Sequence, residues 1–164
     1  MSITKISAVG LVACLAVLAT AYYLEQQYML ASCPLCILQR VIFMAMAAVF
    51  VYGCAGKLTG ILRYIYSSSL IILSVLGMAI AGRQLWLQYF APPQKLSCSA
   101  SIQRLMELYP ILDVLKIILT GSGECAAIDF TILGLSIAAW SFGLFSVIGA
   151  AMIYVFYLQK KRRI

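Results

Sequence analysis

Four stretches of this chain are apolar for the length that crosses a lipid bilayer. A helix needs roughly 20 such residues to span the ~30 Å hydrocarbon core, and runs near 6–24, 37–55, 64–81 and 135–157 meet that length. Backbone N–H and C=O groups find no water in lipid, so a spanning segment must pair them internally, as a helix or within a closed barrel. These runs are continuous and lack the alternation of barrel strands. The expected fold is therefore all-α, an integral membrane four-helix bundle forming one domain over residues 1–164. Composition agrees: with 64% hydrophobic and 10% charged residues, a soluble domain of this size would expose large apolar patches.

Charge placement orients the bundle. Lys5, Lys57, Arg63, Lys160, Lys161, Arg162 and Arg163 all fall on one side of the spans. The acids Glu25, Glu107, Asp113, Glu124 and Asp129 fall on the other, with Arg40, Arg83, Lys95, Arg104 and Lys116. The positive-inside rule then puts both termini in the cytoplasm and the loops near 25–36 and 82–134 outside. The net charge of +7 is explained by this asymmetry, since no basic face interleaved with aromatics is present to hold nucleic acid. Lys5 ahead of the first run gives it the look of a signal peptide, but its length and its continuation into Tyr22-Tyr23-Leu24 favour a retained helix. Tyr22, Tyr23, Tyr28, Trp86, Tyr89 and Phe90 form the expected outer aromatic belt. Gly77, Gly143 and Gly149 are positions for close helix approach. In the long second outer loop, Ile102, Leu105, Met106 and Tyr109 recur at helical spacing, predicting a short amphipathic helix in the interface that Pro110 ends.

Four of the six cysteines sit in these outer loops. Cys33-Pro34-Leu35-Cys36 immediately precedes the second span, so Cys36 falls at a helix N-terminus. There the dipole and unpaired amides favour a thiolate, and the Cys-x-x-Cys spacing adds to this. Arg40 lies one helical turn beyond on the same face, a fixed positive charge for an anion; its bland alternative is snorkelling to head groups. Cys98 and Cys125 lie in one outer loop, and an oxidising compartment favours their pairing. Such a bridge would act either as a staple, stabilising the loop by about 3 to 4 kcal/mol, or as a disulfide open to a partner thiolate, which the exposed Ala91-Pro92-Pro93-Gln94-Lys95 segment favours. Cys14 and Cys54 fall inside spans and read as inert buried thiols. Gln84 and Gln88, at the outer end of the third span, read as interface polar residues. Four outer cysteines also suit a four-thiolate metal-binding or transport protein by number. Against that reading, the chain has no histidine and its spans carry no central acid.

The Cys33-x-x-Cys36-x-x-x-Arg40 motif, Leu87-Gln88 leading to Cys98, the Gly-Ser-Gly-Glu-Cys stretch ending at Cys125, and the passage from Asp129 to Trp140 resemble the DsbB family of quinone-dependent disulfide oxidases of the bacterial inner membrane. The resemblance covers nearly the whole chain. It implies that a reduced periplasmic thioredoxin-like protein of the DsbA type attacks Cys98, that Cys125 then attacks Cys33, and that Cys36 leaves as a thiolate and passes electrons to a membrane quinone, ubiquinone or menaquinone. It further implies that Arg40 polarises the quinone and steadies the Cys36 anion, and that Gln88 hydrogen-bonds the quinone. Vitamin K epoxide reductases run the chemistry in reverse on a similar bundle, but carry their Cys-x-x-Cys late in the chain.

Overall fold

The computed structural model describes residues 3–28, 34–56, 58, 60–90, 131–132 and 134–161. Four long helices dominate: α1 (Ile3–Tyr28), α2 (Pro34–Cys54), α3 (Ile61–Phe90) and α4 (Ile137–Lys161). Each is long and apolar enough to cross a membrane, which makes this an all-α membrane bundle. The interfacial helix expected over residues 102–109 lies outside the described residues, as do Cys33, Cys98 and Cys125.

Local chemistry sets the helix ends. Pro34 opens α2, where its fixed φ suits the first turn and its missing N–H costs nothing. Beyond α2, Gly56 adopts a left-handed conformation at φ 71°, a common way to stop a helix because glycine has no Cβ penalty there. A two-residue antiparallel ladder, β1 (Thr131–Ile132) with β2 (Leu135–Ser136), pairs Thr131 with Ser136 around Gly134. Ser136 Oγ then accepts the Ala139 amide at 3.3 Å and caps α4. Lys160 and Lys161 occupy the last turn of α4, where cations complement the helix dipole.

One boundary differs in a way that matters for function. The apolar run of the third span stops near residue 81, but α3 continues to Phe90. Arg83 ends the apolar run without breaking a helix; the first real breakers are Pro92 and Pro93. Gln84 and Gln88 are thus on a rigid helix and not in a loop.

Contacts between helix ends fix the topology. The start of α1 meets the end of α2 and the start of α3: Ser7 Oγ and Tyr66 Oη lie 2.7 Å apart in the interior, and both would crowd a Cβ at Gly53. The start of α3 meets the end of α4, where Tyr64 Oη donates to the Gln159 carbonyl at 3.1 Å and Gln159 Nε2 donates to Ser67 Oγ at 3.0 Å. At the far end Glu25 of α1, Arg40 of α2 and Gln84 of α3 come together. Successive helices therefore run antiparallel in an up-down-up-down bundle. Lys5, Arg63, Lys160 and Lys161 share the first end, which we call the basic end; Cys36 marks the other.

The core is apolar with small residues where helices touch. Phe145 of α4 is fully buried and stacks on Phe43 of α2, ring centroids 4.2 Å apart. Its ring lies over Gly77, where a Cβ would stand 2.5 Å from Phe145 Cε1. Gly149 likewise faces Ser74. Gly143 does not act as expected: a Cβ there meets nothing within 4 Å among the described residues, because the glycine sits on the outward face of α4. Gly10, packed under the Phe50 ring, supplies the α1–α2 approach. Val9, Val12, Val41, Met44, Val75 and Val147 are exposed, as expected for side chains facing lipid. Tyr22, Tyr23, Trp86, Tyr89 and Phe90 are exposed at the cysteine end, where the aromatic belt was expected.

Candidate functional site

Cys36 occupies the first turn of α2, three residues into the helix, and is partly exposed. Leu35 beside it is fully buried and packs with Leu38, Ile80 and Leu87, so the turn is pinned against α3. Amide N–H groups of a first turn have no intrahelical acceptor, and their partial positive charge favours an anion on this sulfur.

Gln84 completes the arrangement from α3. Its Nε2 donates to Cys36 Sγ at 3.2 Å, and its Oε1 accepts from Gln39 Nε2 at 2.7 Å. Gln39 is on α2, three residues past Cys36. Both amides are buried, each 4% exposed, and each satisfies the other across the helix pair as buried polar groups must. Sequence reasoning assigned Gln84 only an interface role and passed over Gln39. The available signal was that two uncharged amides lie within otherwise apolar helices, where they must face protein and not lipid.

Arg40 is tethered to α1. Its Nη1 donates to Glu25 Oε2 in an ion pair, and its Nη2 lies 3.4 Å from the Ala21 carbonyl oxygen. The guanidinium is thereby held at the cysteine end by a carboxylate that the sequence reading had not connected with it. Gln88 lies one helical turn beyond Gln84, and its Oε1 is buried without a hydrogen-bond partner among the described residues. Unpaired buried acceptors are uncommon and call for an explanation.

Three of the sequence-derived candidates lie together. Cys36, Arg40 and Gln88 fall at one end of the bundle on α2 and α3, with Gln84 joined to them by its contact with the sulfur. Cys14 is fully buried in the core and, like Cys54, carries no disulfide. Cys33, Cys98 and Cys125 belong to segments outside the described residues.

Residues 4–155 match the family model of disulfide bond formation protein DsbB. Relatives named disulfide bond formation protein B include one from Chromohalobacter salexigens, 39% identical over 149 residues and covering 90% of this chain and 87% of its own. Another, from Verminephrobacter eiseniae, is 37% identical and covers 86% of this chain and 78% of its own. A third, from Methylobacillus flagellatus, is 37% identical and covers 85% and 87%. A four-helix membrane bundle with a Cys-x-x-Cys at the head of its second helix, matched over nearly its full length at this level of identity, belongs to the DsbB family of disulfide bond formation proteins.

Proposed function

We propose that this protein is a protein-thiol:quinone oxidoreductase of the bacterial inner membrane, with both termini cytoplasmic, that reoxidises a periplasmic dithiol protein of the thioredoxin-like DsbA type. The observation that carries this reading is the Cys36 sulfur at a helix N-terminus, held by the Gln84 amide 3.2 Å away. Such a sulfur is built to leave as a thiolate, and leaving improves as the thiolate is stabilised.

A partner thiolate attacks Cys98 of the Cys98–Cys125 disulfide, forming a mixed disulfide and releasing the Cys125 thiolate. Cys125 attacks Cys33 of the Cys33–Cys36 disulfide, and Cys36 departs as a thiolate. The second partner thiol closes on the mixed disulfide and frees Cys98, which attacks Cys125, restores the loop disulfide and releases Cys33. Cys33 and Cys36 then re-form their disulfide, giving up two electrons and two protons.

Quinone fits the residues that remain at this end. Gln88 presents an amide whose buried Oε1 lacks a donor: its N–H can serve a quinone carbonyl, and its oxygen a quinol hydroxyl. Arg40, fixed by Glu25, supplies a permanent positive charge. When bound there, a quinone would supply the two-electron, two-proton acceptor that re-formation of the Cys33–Cys36 disulfide requires. The protein's part is to hold Cys36 as an anion and to offer Gln88 and Arg40 to the acceptor.

The test is a coupled assay on purified protein with a reduced thioredoxin-like dithiol protein and a soluble quinone. Changing Cys33, Cys36, Cys98 or Cys125 singly to serine should abolish quinone-linked oxidation, while Cys14→Ala and Cys54→Ala retain it. Full turnover in Cys36→Ser would refute the scheme.

A further inference from the structure

The two buried glutamines form a directional chain, and the direction is the informative part. Gln39 has its donor nitrogen on Gln84 Oε1, which leaves the Gln84 nitrogen facing Cys36 Sγ. Turning the Gln84 amide alone would set two NH2 groups against each other and a carbonyl against the sulfur. With both amides 4% exposed, water is not there to relieve such a clash, so the Gln39 contact couples the two orientations, and in the arrangement the structure adopts it is the nitrogen of Gln84 that meets the sulfur. An N–H donor strengthens toward an anion, since hydrogen bonds to charged groups are roughly twice as strong as neutral ones. A carbonyl in the same place could only accept from S–H and would favour the neutral thiol.

We infer that Gln84 is a catalytic residue that stabilises the Cys36 thiolate by direct donation, and that Gln39 is the positioning residue that holds the Gln84 amide in its donating orientation. This deepens the proposed function and rests on it, because it assumes that Cys36 leaves as a thiolate. It assigns work to two uncharged side chains at a site where Arg40 is the obvious charge. Arg40 is tied back to Glu25 and the α1 backbone, whereas the Gln84 amide lies against the sulfur itself. Sequence spacing helps explain the placement: Gln39 is one turn from Cys36 on the same face of α2, and Gln84 crosses from α3 to reach both.

The experiment uses full-length protein, reduced with dithiothreitol in detergent, and follows iodoacetamide labelling of the Cys36 peptide by mass spectrometry across a pH series. Thiolate reacts and thiol does not, so the midpoint reports the sulfur's charge without quinone or partner. Gln84→Met should raise the midpoint by about one pH unit, the loss of one hydrogen bond to a charged acceptor. Gln39→Met should raise it by part of that amount, and the double variant by no more than Gln84→Met alone, as expected if Gln39 acts through Gln84. A midpoint unchanged or lowered in Gln84→Met overturns the inference. If Gln84→Met does not fold, Gln39→Met decides in its place, and an unshifted midpoint there sinks the positioning role. Loss of the inference is distinguishable from loss of the proposed function: an unshifted midpoint with quinone turnover intact removes only the role of the glutamines. Shifted midpoints in a protein that never reduces quinone remove the oxidoreductase reading while leaving the thiolate contact standing.

Discussion

Gly77 is one of the positions where the bundle leaves no room for a side chain. An alanine Cβ there would lie 2.5, 2.6 and 2.7 Å from Cε1, Cδ1 and Cζ of Phe145, and relieving the contact to an ordinary carbon separation requires about 1 Å of movement. The Phe145 ring cannot supply it, being fully buried and stacked on Phe43 at 4.2 Å. The helices must part instead, and a gap of 0.5–1 Å forfeits roughly a quarter to a half of the dispersion energy across it. Overpacking of this kind costs about 1–3 kcal/mol, and we expect Gly77→Ala at the upper end because, among the described residues, α3 against α4 is the most extensive helix contact. The assay is reversible unfolding in mixed micelles with increasing sodium dodecyl sulfate, followed by circular dichroism. Gly143→Ala is the control, since its Cβ meets nothing within 4 Å among the described residues, and should stay within about 0.5 kcal/mol of the parent. Gly77→Ala combined with Phe145→Leu should recover part of the loss, because the smaller side chain vacates the contested space. Equal stability of Gly77→Ala and Gly143→Ala would refute the packing argument.

Three further outcomes follow from the geometry. Gln88→Leu, which removes the unpaired buried acceptor, should raise KM for quinone while leaving the rate of mixed-disulfide formation with the partner unchanged; equal loss in both would show a folding defect instead. Tyr66→Phe should cost about 0.6 kcal/mol and no more than roughly 1.7, the range for interhelical hydrogen bonds in membranes, measured by the same unfolding assay, and Ser7→Ala in that background should add little. Protein purified without reductant should present two reactive thiols on denaturation, Cys14 and Cys54, with the other four cysteines in disulfides; zinc released on acidification, with four further thiols, would instead support the four-thiolate reading.

The spans were legible because lipid imposes a length and a composition on any segment that crosses it, so the apolar runs at 37–55 and 135–157 nearly coincide with α2 and α4. Helix ends were less legible, since polarity and helicity are separate properties. Arg83 is poor in lipid but good in a helix, and α3 runs past it to Phe90. Small-residue contacts were half legible: glycine marks where a close approach is allowed, but which face a glycine occupies depends on helix rotation, so Gly77 met its neighbour and Gly143 did not. At the candidate site, the placement of Cys36 and Arg40 one turn apart at the head of α2 could be read from spacing within one helix. Gln84 and Gln39 could not, because their partnership depends on the register of α3 against α2, more than forty positions apart in the chain.

The length of α3 carries a practical consequence. Its 30 residues measure about 45 Å at 1.5 Å per residue, some 15 Å more than a typical hydrocarbon layer. The helix must either lean or lift its final turns into the headgroup zone, and in both cases the fatty-acid chain length of the host membrane sets how wet the partly exposed Cys36 sulfur becomes. Kinetic constants gathered in short-chain detergent and in long-chain vesicles therefore describe two different solvations of one sulfur, and variants should be ranked only within a single lipid.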